Sequence, residues 1–194
     1  MLDPLPSSAQ NILIDDFPLH RINRTALRQR LIAISQDAVF LPNGSSFRAN
    51  LDPYNASSAE ESRAVLQDVG LRSVVEERGG IEAAMSSSEL SQGQKQLFNL
   101  ARAILRHRVR KQKMTNLGHR EGGILLLDEV TSSVDTDTER IIKDVIEREF
   151  KAYTVLMITH RMEMAVGYDR VIVMDNGQVV EDGTPVELAY GKRK

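Results

Sequence analysis

The sequence contains no cysteine among its 194 residues. A chain without thiols has no disulfide framework, no thiolate metal site and no cysteine nucleophile. No apolar run approaches the roughly 20 residues of a membrane-spanning helix, and the longest runs, around Ile124–Leu127 and Val155–Ile158, have the length of strands. The N-terminus lacks the basic region and apolar core of a signal peptide. The formal net charge of −2 gives no global reason to expect nucleic-acid binding.

Strand-like and helix-like segments alternate in the last third of the sequence. The predicted segments are a strand at Ile124–Leu127, a helix at Asp137–Phe150, a strand at Thr154–Thr159, a short helix at Met162–Val166 and a strand at Arg170–Asp175. With a further strand predicted at Leu31–Ser35, this alternation favours an α/β fold, a parallel sheet covered by helices. The strand sequences ILLL and TVLMIT are continuously apolar, which predicts burial on both faces. Asn176-Gly177 predicts a two-residue hairpin. Thr184 and Glu187 have the spacing of a capping box that begins a final helix.

The segment from about Ser57 to Arg108 is predicted to be mainly helical. Ser58 and Glu61 have the spacing of a capping box, and Gly70 is placed to end the helix that this box begins. A later helix is predicted to begin near Ser91 and to have one apolar face. The residues of that face are Leu97, Ala101, Ile104 and Leu105.

A basic segment from Arg106 to Arg120 follows this apolar face. We predict that it is an exposed, solvated loop between a helix and a strand. Basic segments of this kind can also bind nucleic acid or anionic lipid, but the pattern is not specific for either.

Polar side chains follow three of the predicted strands directly. Gln36 follows the first strand, Asp128 and Glu129 follow ILLL, and His160 follows TVLMIT. Ligands bind at the carboxyl ends of strands in open α/β sheets, so we expect these side chains at one edge. One carboxylate there is a rigid ligand for Mg²⁺, a second can deprotonate an attacking water, and a histidine can contact a phosphoryl group. Taken alone, the acidic pair equally fits a solvated turn.

The sequence LSQGQ at Leu90–Gln94 begins the later helix. Ser91 is a natural N-cap residue. Gly93 leaves room for a phosphate to approach the backbone N–H groups at the positive end of the helix. Taken alone, these residues equally fit an ordinary capped helix with a glycine in its first turn.

Five motifs, in this order along the chain, resemble those of the ATP-binding cassette (ABC) family. They are ISQD at Ile34–Asp37 (the Q-loop), LSQGQ at Leu90–Gln94 (the signature), ILLLDE at Ile124–Glu129 (Walker B with the adjacent glutamate), SSVD at Ser132–Asp135 (the D-loop) and ITHR at Ile158–Arg161 (the switch histidine). The resemblance implies that residues 1–194 are a partial nucleotide-binding domain with a P-loop NTPase-like fold. Residues 1–51 and 109–194 would belong to its ATPase core, and residues 52–108 to its helical subdomain.

The resemblance also implies a role for each motif in the binding and hydrolysis of ATP with Mg²⁺. Gln36 and Asp128 would serve Mg²⁺ and the γ-phosphate, Glu129 would be the base that positions water, and His160 would contact the γ-phosphate. Four further residues would bind nucleotide, the first three of them across a dimer interface: Ser91, Gly93, Gln94 and Asp135.

The implied partners are transmembrane domains and a second cassette in a head-to-tail dimer, with no nucleic acid. The implied location is the cytoplasmic face of a membrane, where ATP hydrolysis would drive export of a small molecule. The segments NLDP (Asn50–Pro53), QKQLFNLARAILR (Gln94–Arg106) and VVEDGTPVELA (Val179–Ala189) resemble the second, C-terminal cassette of subfamily C, the multidrug-resistance-associated type. Glu129 agrees with this, since the first cassette of that subfamily often lacks a glutamate there.

The sequence departs from the family in lacking its phosphate-binding loop, GxxxxGK[ST], and the aromatic residue that stacks on adenine. Its only Gly-Lys pair is Gly191-Lys192, near the C-terminus. By alignment the loop would end just before Met1, and Met1–Ser7 would be the tail of the helix that follows it. We therefore expect an N-terminally truncated cassette.

Two other interpretations of these motifs remain. A non-enzymatic remnant or accessory subunit would supply its signature motif to the ATP site of a partner cassette. A soluble ABC ATPase of DNA maintenance would place a long coiled coil between the Q-loop and the signature. Gln36 and Leu90 are instead separated by a short helical stretch without sustained heptads, which disfavours that class.

We expect the chain by itself not to bind ATP tightly. The phosphate-binding loop supplies backbone N–H groups and a lysine to the phosphates. Three or four charge-assisted hydrogen bonds, at roughly 1.5–3 kcal/mol each, amount to on the order of 5–10 kcal/mol, which is comparable with the whole affinity of a micromolar site. Equilibrium titration with a labelled ATP analogue checks this. Micromolar, Mg²⁺-dependent affinity that Asp128→Ala abolishes would contradict the expectation.

Overall fold

The computed structural model describes residues 12–116, 122–132 and 134–190. Met1–Ser7, Gly191-Lys192 and residues 117–120 of the basic segment lie outside the described residues. The strands are β1 (Leu13–Ile14), β2 (Phe17–Pro18), β3 (Leu31–Ile34), β4 (Gly123–Asp128), β5 (Tyr153–Ile158), β6 (Val171–Asp175) and β7 (Gln178–Gly183). The helices are α1 (Arg24–Arg30), α2 (Phe47–Leu51), α3 (Ala59–Asp68), α4 (Arg72–Glu76), α5 (Gln92–Asn116), α6 (Thr136–Glu149), α7 (Met162–Ala165) and α8 (Pro185–Tyr190).

A parallel sheet with the order β3-β4-β5 lies at the centre of the fold. The middle strand, β4, pairs Leu127 with Ile34 of β3 and Asp128 with Ile158 of β5. The carboxyl ends of all three strands therefore reach the same edge of the sheet. This confirms the predicted α/β class and its parallel strands.

One face of the sheet is covered by helices and the other is open. Alternate residues of β5, Val155 and Met157, pack against the core that α5 and α6 share with the sheet, whereas Leu156 is 55% and Ile158 is 61% exposed. The prediction that both central strands are buried on both faces was therefore wrong for β5. A continuously apolar sequence predicts that both faces of a strand are covered. Within the described residues, however, no helix covers the second face of β5.

The predicted capping box begins α3. Ser58 Oγ accepts a hydrogen bond from the Glu61 N–H at 3.1 Å, and Glu61 Oε2 accepts one from the Ser58 N–H at 2.7 Å. At the other end, Gly70 has φ +74°, and the Leu71 N–H reaches back to the Leu66 carbonyl at 2.8 Å. Glycine has no Cβ to oppose this left-handed conformation, so it closes the helix where the sequence predicted.

The apolar face predicted for α5 is fully buried in the core. It packs on β3 and on the neighbouring helices α2, α3 and α6. Helix α5 is longer than predicted and continues to Asn116, so the assignment of a loop was wrong for residues 106–116.

Three basic residues of this segment, Arg106, His107 and Arg110, have partners within the fold, and these contacts stabilise the continued helix. Arg106 donates to the Arg28 carbonyl at 2.7 Å, and Arg110 donates to the Tyr153 hydroxyl at 2.8 Å. His107 is buried and packs against the rings of Phe150 and Tyr153, with ring centres 5.1 Å apart in each case. No helix in the described part of the chain is long and apolar enough to cross a membrane.

The predicted hairpin at Asn176-Gly177 joins β6 and β7 in an antiparallel pair. Both turn residues have positive φ, +47° and +77°, as a two-residue turn of this kind requires. The pair is not hydrogen-bonded to the parallel sheet within the described residues. Helix α8 begins with the predicted capping box, in which Thr184 and Glu187 exchange side-chain and backbone hydrogen bonds.

Arg108 joins three helices through two carboxylates. It donates to Asp68 of α3 at 2.6 Å and to both carboxylate oxygens of Glu149 at the end of α6, at 2.8 and 3.0 Å. Burial alone would raise the pKa of Glu149. The hydrogen bonds from Arg108 and Arg148 outweigh burial and hold that pKa below its ordinary value of 4.5.

We expect Arg108→Met to lower the free energy of unfolding by about 2 kcal/mol at pH 7, because Glu149 loses charged hydrogen bonds while remaining largely buried. The pKa of Glu149 is lower in the folded than in the unfolded chain. Its stabilising contribution is therefore present above the unfolded pKa and is lost as the pH falls through the folded value.

Urea unfolding at pH 7 and at about pH 3, below the ordinary carboxyl pKa, should show a difference between the two proteins that shrinks in acid. Arg106→Met, which removes a bond to a backbone carbonyl and not to a carboxylate, is the matched control. A difference of the same size at both pH values for Arg108→Met would contradict this explanation.

Candidate functional site

The predicted catalytic residues meet where the three parallel strands end. Gln36 lies two residues after β3, Glu129 directly follows β4, and His160 lies two residues after β5. Because the register aligns the ends of these strands, residues far apart in sequence are brought to one point. The structure thus places Gln36, Glu129 and His160 in a single cluster, which we call the strand-end centre.

The backbone of Glu129 turns sharply as it leaves β4. Its φ of +48° is unusual for a residue with a side chain, and such conformations persist only where surrounding contacts hold them. Its N–H donates to the Ile158 carbonyl at 3.0 Å, and its carbonyl accepts from the N–H and the hydroxyl of Ser132, at 3.1 and 3.0 Å. These bonds fix the direction in which the Glu129 side chain leaves the sheet.

The Glu129 carboxylate is the shared partner in the strand-end centre. Gln36 Nε2 donates to Oε2 at 3.1 Å, and His160 Nε2 lies 2.7 Å from Oε1. The carboxylate is 22% exposed, whereas the His160 side chain is 85% exposed. Each carboxylate oxygen has a second lone pair, so a water molecule can bind Glu129 while both contacts persist.

Asp128 lies beside this centre at the end of β4 and is exposed. Its carboxylate makes no hydrogen bond or ion pair with another described residue, so it is free to bind a cation. No group of three or more His, Cys, Asp or Glu side chains among the described residues could hold a metal ion alone. Mg²⁺ is commonly held by one or two carboxylates with phosphate oxygens and waters, and this arrangement fits Asp128.

The predicted signature segment forms the capped start of α5. Ser91 Oγ accepts from the Gln94 N–H at 3.2 Å, and Gln94 Oε1 accepts from the Ser91 N–H at 3.0 Å. Ser91 is therefore the N-cap residue, as predicted. Gln94 forms the second half of a capping box, which was not predicted although the S-x-x-Q spacing signals one.

The start of α5 lies against the start of α6. A Cβ added at Gly93 would lie 3.5 Å from Thr138 Oγ1 and 3.9 Å from Asp135 Oδ2. Asp135 is the N-cap of α6 and accepts hydrogen bonds from the N–H groups of Asp137 and Thr138, at 3.1 and 2.9 Å. These bonds, from Thr138 first, lower the pKa of Asp135. Ser133 of the D-loop motif lies outside the described residues.

The predicted site residues thus form two groups. The strand-end centre contains Gln36, Glu129 and His160, with Asp128 beside it, and the second group contains Ser91, Gly93, Gln94 and Asp135. No hydrogen bond or ion pair joins the two groups among the residues that the structure describes. This separation is compatible with the expectation that the signature acts on nucleotide held by another cassette.

Further polar residues, not predicted from the sequence, surround these groups. Gln96, Asn99 and Arg102 of α5 hydrogen-bond to the backbone around Gln36. Arg161 forms an ion pair of 2.7 Å with Glu139 of α6. A signal for the first set was available, since three polar residues spaced three apart lie within the stretch of α5 that carries its apolar face.

Comparison with known proteins gives the same family as the motifs. A family profile described as "ABC transporter" matches residues 2–109. This range includes Gln36 and the signature motif but ends before β4. The strand-end residues Glu129 and His160 are covered instead by individual relatives.

Several fungal transporters are similar to nearly the whole chain. The "ABC-type transporter braE" of Annulohypoxylon truncatum is 52% identical over 189 residues, which are 97% of this chain. The "ABC transporter FGM5" of Gibberella zeae is 50% identical over 97% of this chain. The "ABC multidrug transporter B" of Aspergillus fumigatus is 39% identical over 93% of it. The chain spans only 13% of the length of the first two relatives and 11% of the third.

Proposed function

Because this chain belongs to the ABC transporter family, we propose that it is an ATP-hydrolysing cassette of an exporter that moves small molecules across a membrane. The family binds nucleotide, and the parallel sheet flanked by helices agrees with its P-loop NTPase-like fold. The observation that carries the proposal is the contact of Glu129 with both Gln36 and His160 at the carboxyl edge of the sheet.

Glu129 acts as the base in the proposed reaction. Its carboxylate accepts a proton from a water molecule, whose oxygen forms a bond to the γ-phosphorus of ATP. The bond from that phosphorus to the bridging oxygen breaks, and ADP leaves with its electron pair. Gln36 and His160 hold the two carboxylate oxygens in place, so the base is oriented before the substrate arrives. His160, being exposed, can also turn to contact the transferred phosphoryl group.

Asp128 and Gln36 would hold Mg²⁺ at this site. When bound, the cation supplies charge to neutralise the phosphate oxygens. The exposure of the Asp128 carboxylate, and its lack of a partner among the described residues, support this assignment. Its position at the end of strand β4 makes it rigid. Residues 1–51 and 109–194 would form the ATPase core, and residues 52–108 the helical subdomain.

The signature group would act on a second cassette. Ser91, Gly93 and Gln94 lie at the start of α5, and the backbone N–H groups of a helix N-terminus attract phosphate oxygens. Together with Asp135 they would contact nucleotide bound by the opposite cassette in a head-to-tail dimer. Further partners would be transmembrane domains, which place the cassette at the cytoplasmic face of a membrane. The segments around Asn50 and Val179 support assignment to the second cassette of subfamily C.

Glu129→Gln tests the role of the base in a complete transporter. We expect ATP hydrolysis to fall by about 10²–10⁴-fold, because an amide cannot accept the proton that a general base removes, while ATP binding is retained. A suitable host is a chimera in which this chain replaces the matching segment of the 52% identical relative from Annulohypoxylon truncatum.

Glu181→Gln is the matched control, because it makes the same chemical change at an exposed residue of β7, away from the strand-end centre. The control should hydrolyse ATP at the unmodified rate. Normal turnover in the Glu129→Gln chimera, measured as phosphate release, would refute the assignment of Glu129 as the base.

A further inference from the structure

Helix α5 presents three polar side chains to the segment that follows β3. Gln96, Asn99 and Arg102 are spaced three residues apart and therefore lie along one side of the helix. Gln96 is only 3% and Asn99 only 9% exposed. Buried polar groups are costly unless they are hydrogen-bonded, so their partners indicate what they are for.

All three side chains donate to backbone carbonyls of a single segment, residues 35–39. Gln96 Nε2 donates to the carbonyl of Gln36, Asn99 Nδ2 to that of Ser35 at 3.4 Å, and Arg102 Nη1 to that of Val39 at 2.9 Å. We call this set of bonds the Q-loop brace. It fixes the backbone on both sides of the Gln36 side chain, which itself remains exposed.

Arg102 is the central member of the brace because it also reaches beyond the segment. Its Nε donates to the Asn50 carbonyl at 2.8 Å, and the Asn50 side chain accepts from the Leu41 N–H at 2.8 Å. The guanidinium lies 5.6 Å from the ring centre of Phe40 and 5.7 Å from that of Phe98. Both ends of the segment are thereby tied to α5.

We propose that Gln96, Asn99 and Arg102 are positioning residues of the strand-end centre. By fixing the backbone at Gln36, they bring Gln36 Nε2 to within 3.1 Å of Glu129 Oε2. One helix thus carries the signature group at its N-terminus and holds the glutamine that orients the base. This inference rests on the proposed role of Glu129.

A purely structural role for the brace predicts a different result. In a purely structural role, buried polar residues fix only the packing of the core, and their loss lowers the stability of the whole molecule. A positioning role requires that loss of Arg102 releases residues 36–41 selectively and acts on hydrolysis through Gln36. These outcomes can be separated by local hydrogen exchange and by combining variants.

The first measurement is amide hydrogen exchange, followed by mass spectrometry, in the 194-residue chain. Arg102→Met should raise exchange in residues 36–41 by about tenfold, as the loss of one or two hydrogen bonds implies, and leave the amides of α5 and β4 unchanged. Arg102→Lys, which keeps the charge and one donor group, should give a smaller increase. Arg106→Met, one turn along the helix, removes a bond to the Arg28 carbonyl and should leave residues 36–41 unchanged.

The second measurement is the kcat of ATP hydrolysis in the chimeric transporter. Arg102→Met should lower kcat by about the same factor as Gln36→Ala, with little change in KM, and the double variant should be no slower than either single one. Arg106→Met should retain the unmodified rate. Unchanged exchange at residues 36–41, or multiplicative effects of Arg102→Met and Gln36→Ala on kcat, would overturn the proposal.

The two measurements also separate this inference from the proposed function. If Glu129→Gln hydrolyses ATP normally, the role of Glu129 as the base is wrong, and the exchange data still decide whether α5 holds the segment around Gln36. If Glu129→Gln is inactive while Arg102→Met leaves exchange and kcat unchanged, the proposed function stands and the brace is refuted.

Discussion

The parallel pairing of β4 with both of its neighbours is the constraint on which the rest of the structure depends. Its register places the ends of β3, β4 and β5 at the same edge. Gln36 and His160 can therefore reach Glu129 from opposite sides, although they are separated from it by 93 and 31 residues of sequence, respectively. A shift of one residue in either pairing would turn the side chains of that strand to the other face of the sheet and separate these groups.

Helix α5 is the second organising element. Its apolar face supplies much of the core, its N-terminus carries the signature group, and its polar side chains hold the backbone around Gln36. Further along, Arg108 ties the same helix to α3 and α6. A movement of α5 would therefore displace both residues 35–39, which include Gln36, and helix α6, whose N-cap is Asp135.

Local signals in the sequence predicted most of the fold. The capping boxes at Ser58 and Thr184 and the Asn176-Gly177 turn each act within a few residues, so their formation does not depend on distant contacts. The continuation of α5 was missed because the partners of Arg106 and Arg108 lie 40 to 78 residues away in sequence.

The sequence indicated which residues lie at the strand-end centre, but not which of them contact one another. Polar residues at strand ends indicated Gln36, Glu129 and His160, yet nothing local indicates that Glu129 is the shared partner of the other two. The brace formed by Gln96, Asn99 and Arg102 was also missed, because hydrogen bonds to carbonyls of a distant segment leave no pattern in that segment's own sequence. The open face of β5 was missed because apolarity alone does not reveal what covers a strand.

The convergence of the three strand ends on one centre can be tested by cross-linking, because the chain has no native cysteine. Cysteines placed at Gln36 and His160 should be joined by a short bifunctional thiol reagent in the folded chain and not in urea. A pair at Gln36 and Lys151 is the control, since Lys151 precedes β5 and is separated from its far end by about 20 Å of strand. Selective joining of the first pair is the predicted result. Equal joining of both pairs, or of neither, would contradict the convergence of these strand ends on Glu129.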